Sequence, residues 1–289
     1  MKEIKKFAME IRKETIKCIG TLGVGHIGGA LSIVDVLAVL YGGEMNIDPK
    51  NPQKDDRDML VVSKGHAGPA VYATLALKGY FPMEMLDTLN KPGTRLPSHC
   101  DMNRTPGVDM TTGSLGQGAS SAMGIACANR LKGYKNYTYL ILGDGEIEEG
   151  QVWEAAMFAG AKKLSNMIAF VDYNKCQIDN YVQELCNLGD VAKKFESFGW
   201  FAQNVEDGND VEQISAAIAK AKAEAGERPS VIVLNTVKGK GYSKIEGSLG
   251  SHNMPVTAEM VEEALAELDK AAAALACAAC GRNFDEEEK

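Results

Sequence analysis

Residues 137–179, YTYLILGDGEIEEGQVWEAAMFAGAKKLSNMIAFVDYNKCQID, read as strand, tight turn, helix, strand and turn. Tyr137 to Leu142 is a short run of β-branched, aromatic and aliphatic residues, the pattern of a strand buried on both faces. Gly143-Asp144-Gly145 stops it. Glu148 to Lys163 carries helical spacing, with Val152, Ala155, Ala156 and Ala159 on one face. Met167 to Val171 is a second buried strand, ending at Asp172-Tyr173-Asn174. This order places Asp144 and Asn174 at the carboxyl ends of two parallel strands joined by one crossover, where open α/β sheets hold ligands. A carboxylate and an amide oxygen beside glycines suit a hard cation such as magnesium, which takes a few protein oxygens and completes its octahedron with water and phosphate. The helix after the turn offers free amides to the same anion. GDG alone fits any βαβ unit with a polar turn; GDG with a buried strand before it, followed by Asn after a second buried strand, is far more specific.

The chain of 289 residues is long enough for a sizeable core. Its 45% hydrophobic and 24% charged residues are those of an ordinary globular protein. A net charge of −8 argues against a nucleic-acid or anionic-membrane surface. Seven Cys without a framework pattern point to a reducing cytoplasm. The start, MKEIKKFAMEIRKE, reads as an amphipathic helix rather than a signal sequence, and no apolar run approaches the ~20 residues of a membrane span.

Around the central stretch, amphipathic segments alternate with strands at 59–62, 200–205 and 231–236. The alternation predicts an α/β fold, a doubly wound, mainly parallel sheet with helices on both faces. Residues 1–276 read as one domain and 277–289 as a solvated tail. Cys277 and Cys280, in an Ala-rich helix end, read as incidental rather than as a redox pair. A loop from Asn90 to Thr112 is longer than compact domains allow without a functional reason. The four histidines, His26, His66, His99 and His252, all lie in loops among Gly, Ser, Lys or Pro. That favours one shared site for proton traffic near neutral pH. Their spacing is poor for zinc.

GDG, the helix carrying Glu148-Glu149-Gly150, and Asn174 resemble the thiamine diphosphate and magnesium motif of the transketolase family. GHIGGALS, SKGHAGPAVYA, LPSHCDMNRTPGVDMTTGSLGQG and NTVKGKGYSKIEGSLGSHNMP resemble the family's four histidine-bearing segments. Two positions depart from its pattern: Ile27 stands where Pro is common, and Tyr173 where Asn is. The resemblance implies a thiamine diphosphate-binding fold with metal ligands Asp144, Asn174 and the main-chain carbonyl of Cys176, holding Mg2+ or, in its place, Ca2+ or Mn2+. It implies that Gly143, Asp144, Gly145, Gly113, His66 and Lys238 border the diphosphate. Leu115 and Ile178 would flank the cofactor rings, the alternative being ordinary core. His26, His99 and His252 would face the sugar substrate, with His252 also near the cofactor. Glu149 would be a dimer-interface carboxylate linking two active sites, the alternative being a helix-dipole partner.

The resemblance runs from Glu3 to about Pro255 but covers one third to one half of a full-length transketolase. It therefore implies a split enzyme. A separate C-terminal, pyrimidine-binding subunit would complete the site in a heterotetramer, and sugar phosphates would exchange a two-carbon ketol unit. Other readings are a ketol transferase or synthase acting on a different, for example sulfonated, sugar, and a non-catalytic paralogue that binds a partner or a nucleotide.

Overall fold

The computed structural model describes residues 1–178 and 180–278. Asp179 and the tail beyond Ala278, with Cys280, lie outside them, and so does the side chain of Cys277. Five parallel strands form the central sheet: β2 (Met59–Val62), β3 (Thr138–Gly143), β4 (Met167–Tyr173), β7 (Phe201–Val205) and β8 (Ser230–Asn235), in the order β2-β3-β4-β8-β7. All six residues of β3 are buried. Alternate side chains serve opposite faces. Tyr139, Ile141, Ile168 and Phe170 join one core; Leu140, Leu142, Ala169 and Val171 join the other. This is why these strands read as continuous apolar runs instead of alternating ones.

The first face is covered by α1 (Lys2–Leu22), α3 (Val34–Val39), α4 (Gly68–Leu77) and α9 (Val211–Glu224), with α10 (Ala258–Ala278) against α1. The second is covered by α5 (Gln117–Leu131), α6 (Gly150–Ala161) and α8 (Val191–Ser197). The sheet is thus doubly wound, as the alternation predicts. The order reverses at β8, which inserts between β4 and β7, so the carboxyl ends near β4 form the crevice in which such sheets bind ligands.

Two antiparallel ribbons shape that edge. β1 (Val24–Gly25) pairs with β9 (Met254–Pro255), and β5 (Cys176–Gln177) pairs with β6 (Asn180–Tyr181), which leads into α7 (Val182–Leu185). The sequence reads as a Gly-rich segment to Ser32 followed by a helix from Ile33 to Tyr41. That helix forms as α3 and a wider π turn from Leu40 to Glu44, bent at Gly43 with φ +154°, and the Gly-rich segment itself contains a further short helix, α2 (Ile27–Leu31). The stretch 27–44 is apolar and long enough to cross a membrane, but 83% of it is buried in the core.

Candidate active site at the carboxyl edge of the sheet

β3 and β4 are neighbours in register, Gly143 opposite Asp172, so the turns that follow them lie side by side. Asp144 is only 2% exposed. Its carboxylate accepts hydrogen bonds from the main-chain amides of Gly145 (2.9 Å) and Lys175 (2.5 Å). Burial, reinforced by the charge of Asp172, raises its pKa to about 7. Asn174 donates from Nδ2 to Asp172 Oδ2 (2.9 Å), and its Oδ1 accepts from the Cys176 amide (3.1 Å). A desolvated carboxylate held by main-chain donors, with an amide oxygen and the Cys176 main chain beside it, is a donor set that fits Mg2+. The helix N-terminus is less close than the sequence implies. α6 begins at Gly150, a single helical turn (Glu146–Glu148) intervenes, and on this segment the cavity wall ends at Glu146.

Three charged residues absent from the sequence-based assignment are built into this edge. Asp172 accepts from Ser32 Oγ (2.7 Å), Lys64 Nζ (2.5 Å) and Thr236 Oγ1 (2.5 Å) as well as from Asn174. Burial opposes its ionisation, but Lys64 and the hydroxyls of Thr236 and Ser32 together outweigh that and hold the carboxyl below its usual range. Glu146, 2% exposed, accepts from Ser63 Oγ and from the amides of Gly116 and Gly143 (both 2.9 Å). It staples the GSLGQG loop to the GDG turn. Glycine is required at 118, where a Cβ would stand 2.7 Å from the Ser63 Cα.

The four histidines come together. Ring centroids of His26 lie 5.3 Å from His66, 5.8 Å from His99 and 5.2 Å from His252, and His66 is 5.3 Å from His252. The β1–β9 ribbon, in which Gly25 pairs with Met254, ends beside His26 and brings it close to His252. His66 lies in the turn after β2, and the His99 loop is stitched to it: Thr112 donates its amide to Cys100 O (3.0 Å) and its hydroxyl to Val62 O (2.7 Å). Burial lowers the His66 pKa well below its ordinary value, with Lys64 assisting; burial and His99 lower that of His26. Both are therefore neutral near pH 7. A cavity lined by His66, Leu115, Asp144, Asn174, Ile178, Lys238 and His252 opens here, together with Gly143, Gly145 and Cys176. A second cavity, lined by His26, His66, Asn90, Ser98 and Asn253, adjoins it at His66.

Residues 4–273 match the family model for the thiamine diphosphate-binding domain of transketolase. The chain belongs to the transketolase family. It is 58% identical over 268 residues to the 6-deoxy-6-sulfo-D-fructose transketolase subunit SqwG of Clostridium sp. strain MSTE9, covering 93% of this chain and 97% of the relative. One of the subunits of apulose-4-phosphate transketolase from Phocaeicola vulgatus is 36% identical, covering 90% and 91% of the two chains. The crystal structure of Campylobacter jejuni transketolase superposes with a TM-score of 0.87 at 30% identity, over 93% of this chain but 43% of that one. The chain thus corresponds to the N-terminal, thiamine diphosphate-binding part of a transketolase, spanning less than half of a single-chain transketolase.

Other residues assigned from the transketolase resemblance sort by place. Leu115 (39% exposed) and Ile178 (64% exposed) line the cavity and are not core. Lys238 is buried, its Nζ 3.5 Å from Ile178 O, and burial lowers its pKa. Gly113 (φ +150°) is not in the cavity wall; its α-carbon faces His99, where a Cβ would meet Cδ2 at 3.3 Å. Glu149 is exposed, precedes α6 without a side-chain capping bond, and lies beside Gly116 outside the cavity.

Proposed function

We propose that this chain is the diphosphate-binding subunit of a two-chain transketolase that moves a two-carbon ketol unit from an anionic ketose to an aldose. The observation that carries the proposal is the convergence of the Asp144–Asn174 oxygens and four histidines on one open edge. Asp144, Asn174 and the Cys176 carbonyl would hold Mg2+, which in turn anchors the diphosphate, and Lys238 adds positive charge beside it. Thiamine diphosphate, when bound, supplies the carbanion and the electron sink. The protein's own part is to bind, orient and carry protons. His26, His99 and His252 accept or return protons at sugar hydroxyls, while Leu115 and Ile178 cover the apolar rings and keep water away.

Relatives named as transketolase subunits, covered over 97% and 91% of their length, favour a separate C-terminal subunit for the pyrimidine end of the cofactor. Two exposed apolar residues at the cavity rim, with Glu149 nearby, support an assembly of two copies of each chain. The described cysteines are unpaired, in keeping with a cytoplasmic location. For the donor, the 58%-identical relative named for 6-deoxy-6-sulfo-D-fructose favours a sulfonated ketose over a ketose phosphate of the pentose phosphate type. The deciding experiment is co-purification with the candidate C-terminal subunit, then an assay of 6-deoxy-6-sulfofructose against xylulose 5-phosphate, each with an aldose phosphate acceptor. Faster turnover of the sulfonated donor is expected, with none from the isolated chain. Full turnover by the isolated chain refutes the split enzyme.

A further inference from the structure

We propose that Lys64 and Asp172 form a positioning pair that fixes which end of the Asn174 amide faces the metal. The inference rests on the metal site proposed above and concerns how this chain prepares it. Asn is ambiguous by construction, with an acceptor on one arm of the amide and two donors on the other. Only the oxygen serves Mg2+, and a flipped amide would present N–H groups to a cation. Two neighbours remove the ambiguity. The ionised carboxylate of Asp172 can only accept, so it takes Nδ2 at 2.9 Å. The Cys176 amide can only donate, so it takes Oδ1 at 3.1 Å. Asp172 and Asn174 sit on the same strand end, two residues apart, so the carboxylate reaches the amide without any loop movement.

Asp172 is 1% exposed, and a bare carboxylate at such a depth requires a countercharge. Lys64, 2% exposed, provides it at 2.5 Å on Oδ2, the oxygen that Asn174 uses. Ser32 also donates to Oδ2, whereas Thr236 donates to Oδ1. The two carboxylate oxygens therefore separate the roles. Oδ2 orients the amide, and Oδ1 ties β4 to the end of β8.

That division supplies the test. Mn2+ binding to the complex of this chain with its C-terminal subunit, in the presence of thiamine diphosphate, is counted by electron paramagnetic resonance, with folding of the chain followed by circular dichroism. Asp172→Asn and Lys64→Met should each weaken Mn2+ affinity by about 10–100-fold, the usual cost of losing a group that orients a metal ligand. Thr236→Val, which removes a bond from the same carboxylate but from the other oxygen, should keep the wild-type affinity. If Asp172→Asn fails to fold, the comparison of Lys64→Met with Thr236→Val carries the result. Wild-type affinity in folded Asp172→Asn or Lys64→Met, or an equal loss in Thr236→Val, overturns the positioning role and leaves the metal site standing. A wild-type complex that takes up no Mn2+ overturns both.

Discussion

The imidazoles of His26 and His252 stand 5.2 Å apart although they come from opposite ends of the chain. A ribbon of two residues on each side, β1 with β9, holds them there. Near His26, the fit is tight enough that a Cβ on Gly28 would meet Ser251 Oγ at 2.4 Å. Thus two segments far apart in the sequence close the same cluster.

Burial of these rings gives stability a defined pH dependence. His66 and His26 have pKa values below the ordinary one, so the unfolded chain takes up protons before the folded chain does. Their contribution is fully present above about pH 6.5 and is lost as pH falls below it, at up to about 1.4 kcal/mol per pH unit for each ring. Urea unfolding between pH 8 and pH 5.5 should show that loss, and His66→Gln should flatten it. Identical slopes for the two proteins would contradict the neutral, buried state of His66.

Asp144 acts in the opposite sense. Its folded pKa of about 7 lies above the unfolded value, so in the absence of metal the folded chain is penalised increasingly as pH rises from about 4 to 7. Metal binding needs the ionised carboxylate. The gain in melting temperature on adding Mg2+ with thiamine diphosphate should therefore be larger at pH 8 than at pH 6, and Asp144→Ala should abolish it at both. A gain independent of pH, or one that survives the substitution, is the contrary result.

How far these features are legible in the sequence depends on their physical basis. β3 and β4 are plain because both faces are buried, which leaves unbroken apolar runs ending at GDG and at Asn174. The histidines can be seen to lie in loops, but their mutual approach cannot, since it depends on strand pairs too short to show a period. The short helix α2 is hidden because its glycines read as a loop and every residue from Ile27 to Leu31 is buried, so no polar face marks it. Lys64, Asp172 and Glu146 escape assignment because such residues are usually solvated. Their burial is set by partners far away in sequence, Lys64 for Asp172 and Ser63 and Gly116 for Glu146. The one hint is local: a carboxylate directly after a glycine turn that ends a buried strand.

Glu146 carries a prediction of its own. Its carboxylate satisfies the Gly116 and Gly143 amides in a buried place. Glu146→Ala would leave both donors without it, at about 1–3 kcal/mol for each unsatisfied group. The urea midpoint should fall accordingly, and hydrogen exchange should quicken at residues 113–118, which lose their staple to the GDG turn. Unchanged exchange in that loop would mean that something other than Glu146 holds it.

Ile178 joins strain to function in a single side chain. Its φ is +45°, a left-handed conformation that costs an ordinary L-residue roughly 1–2 kcal/mol. A β-branched residue is the least able to adopt it. At 64% exposure Ile178 regains little by burial in the isolated chain. Lys238 Nζ lies 3.5 Å from its carbonyl, so its backbone is placed against the site. Strain of this kind collects where a surface is prepared for a ligand. Ile178→Asn, which tolerates the same backbone, should raise the stability of the isolated chain by about 1 kcal/mol while weakening thiamine diphosphate binding measured by calorimetry with Mg2+ and the C-terminal subunit present. A variant that gains no stability would show the backbone to be relaxed; one that gains stability and binds as before would remove Ile178 from the cofactor's surroundings.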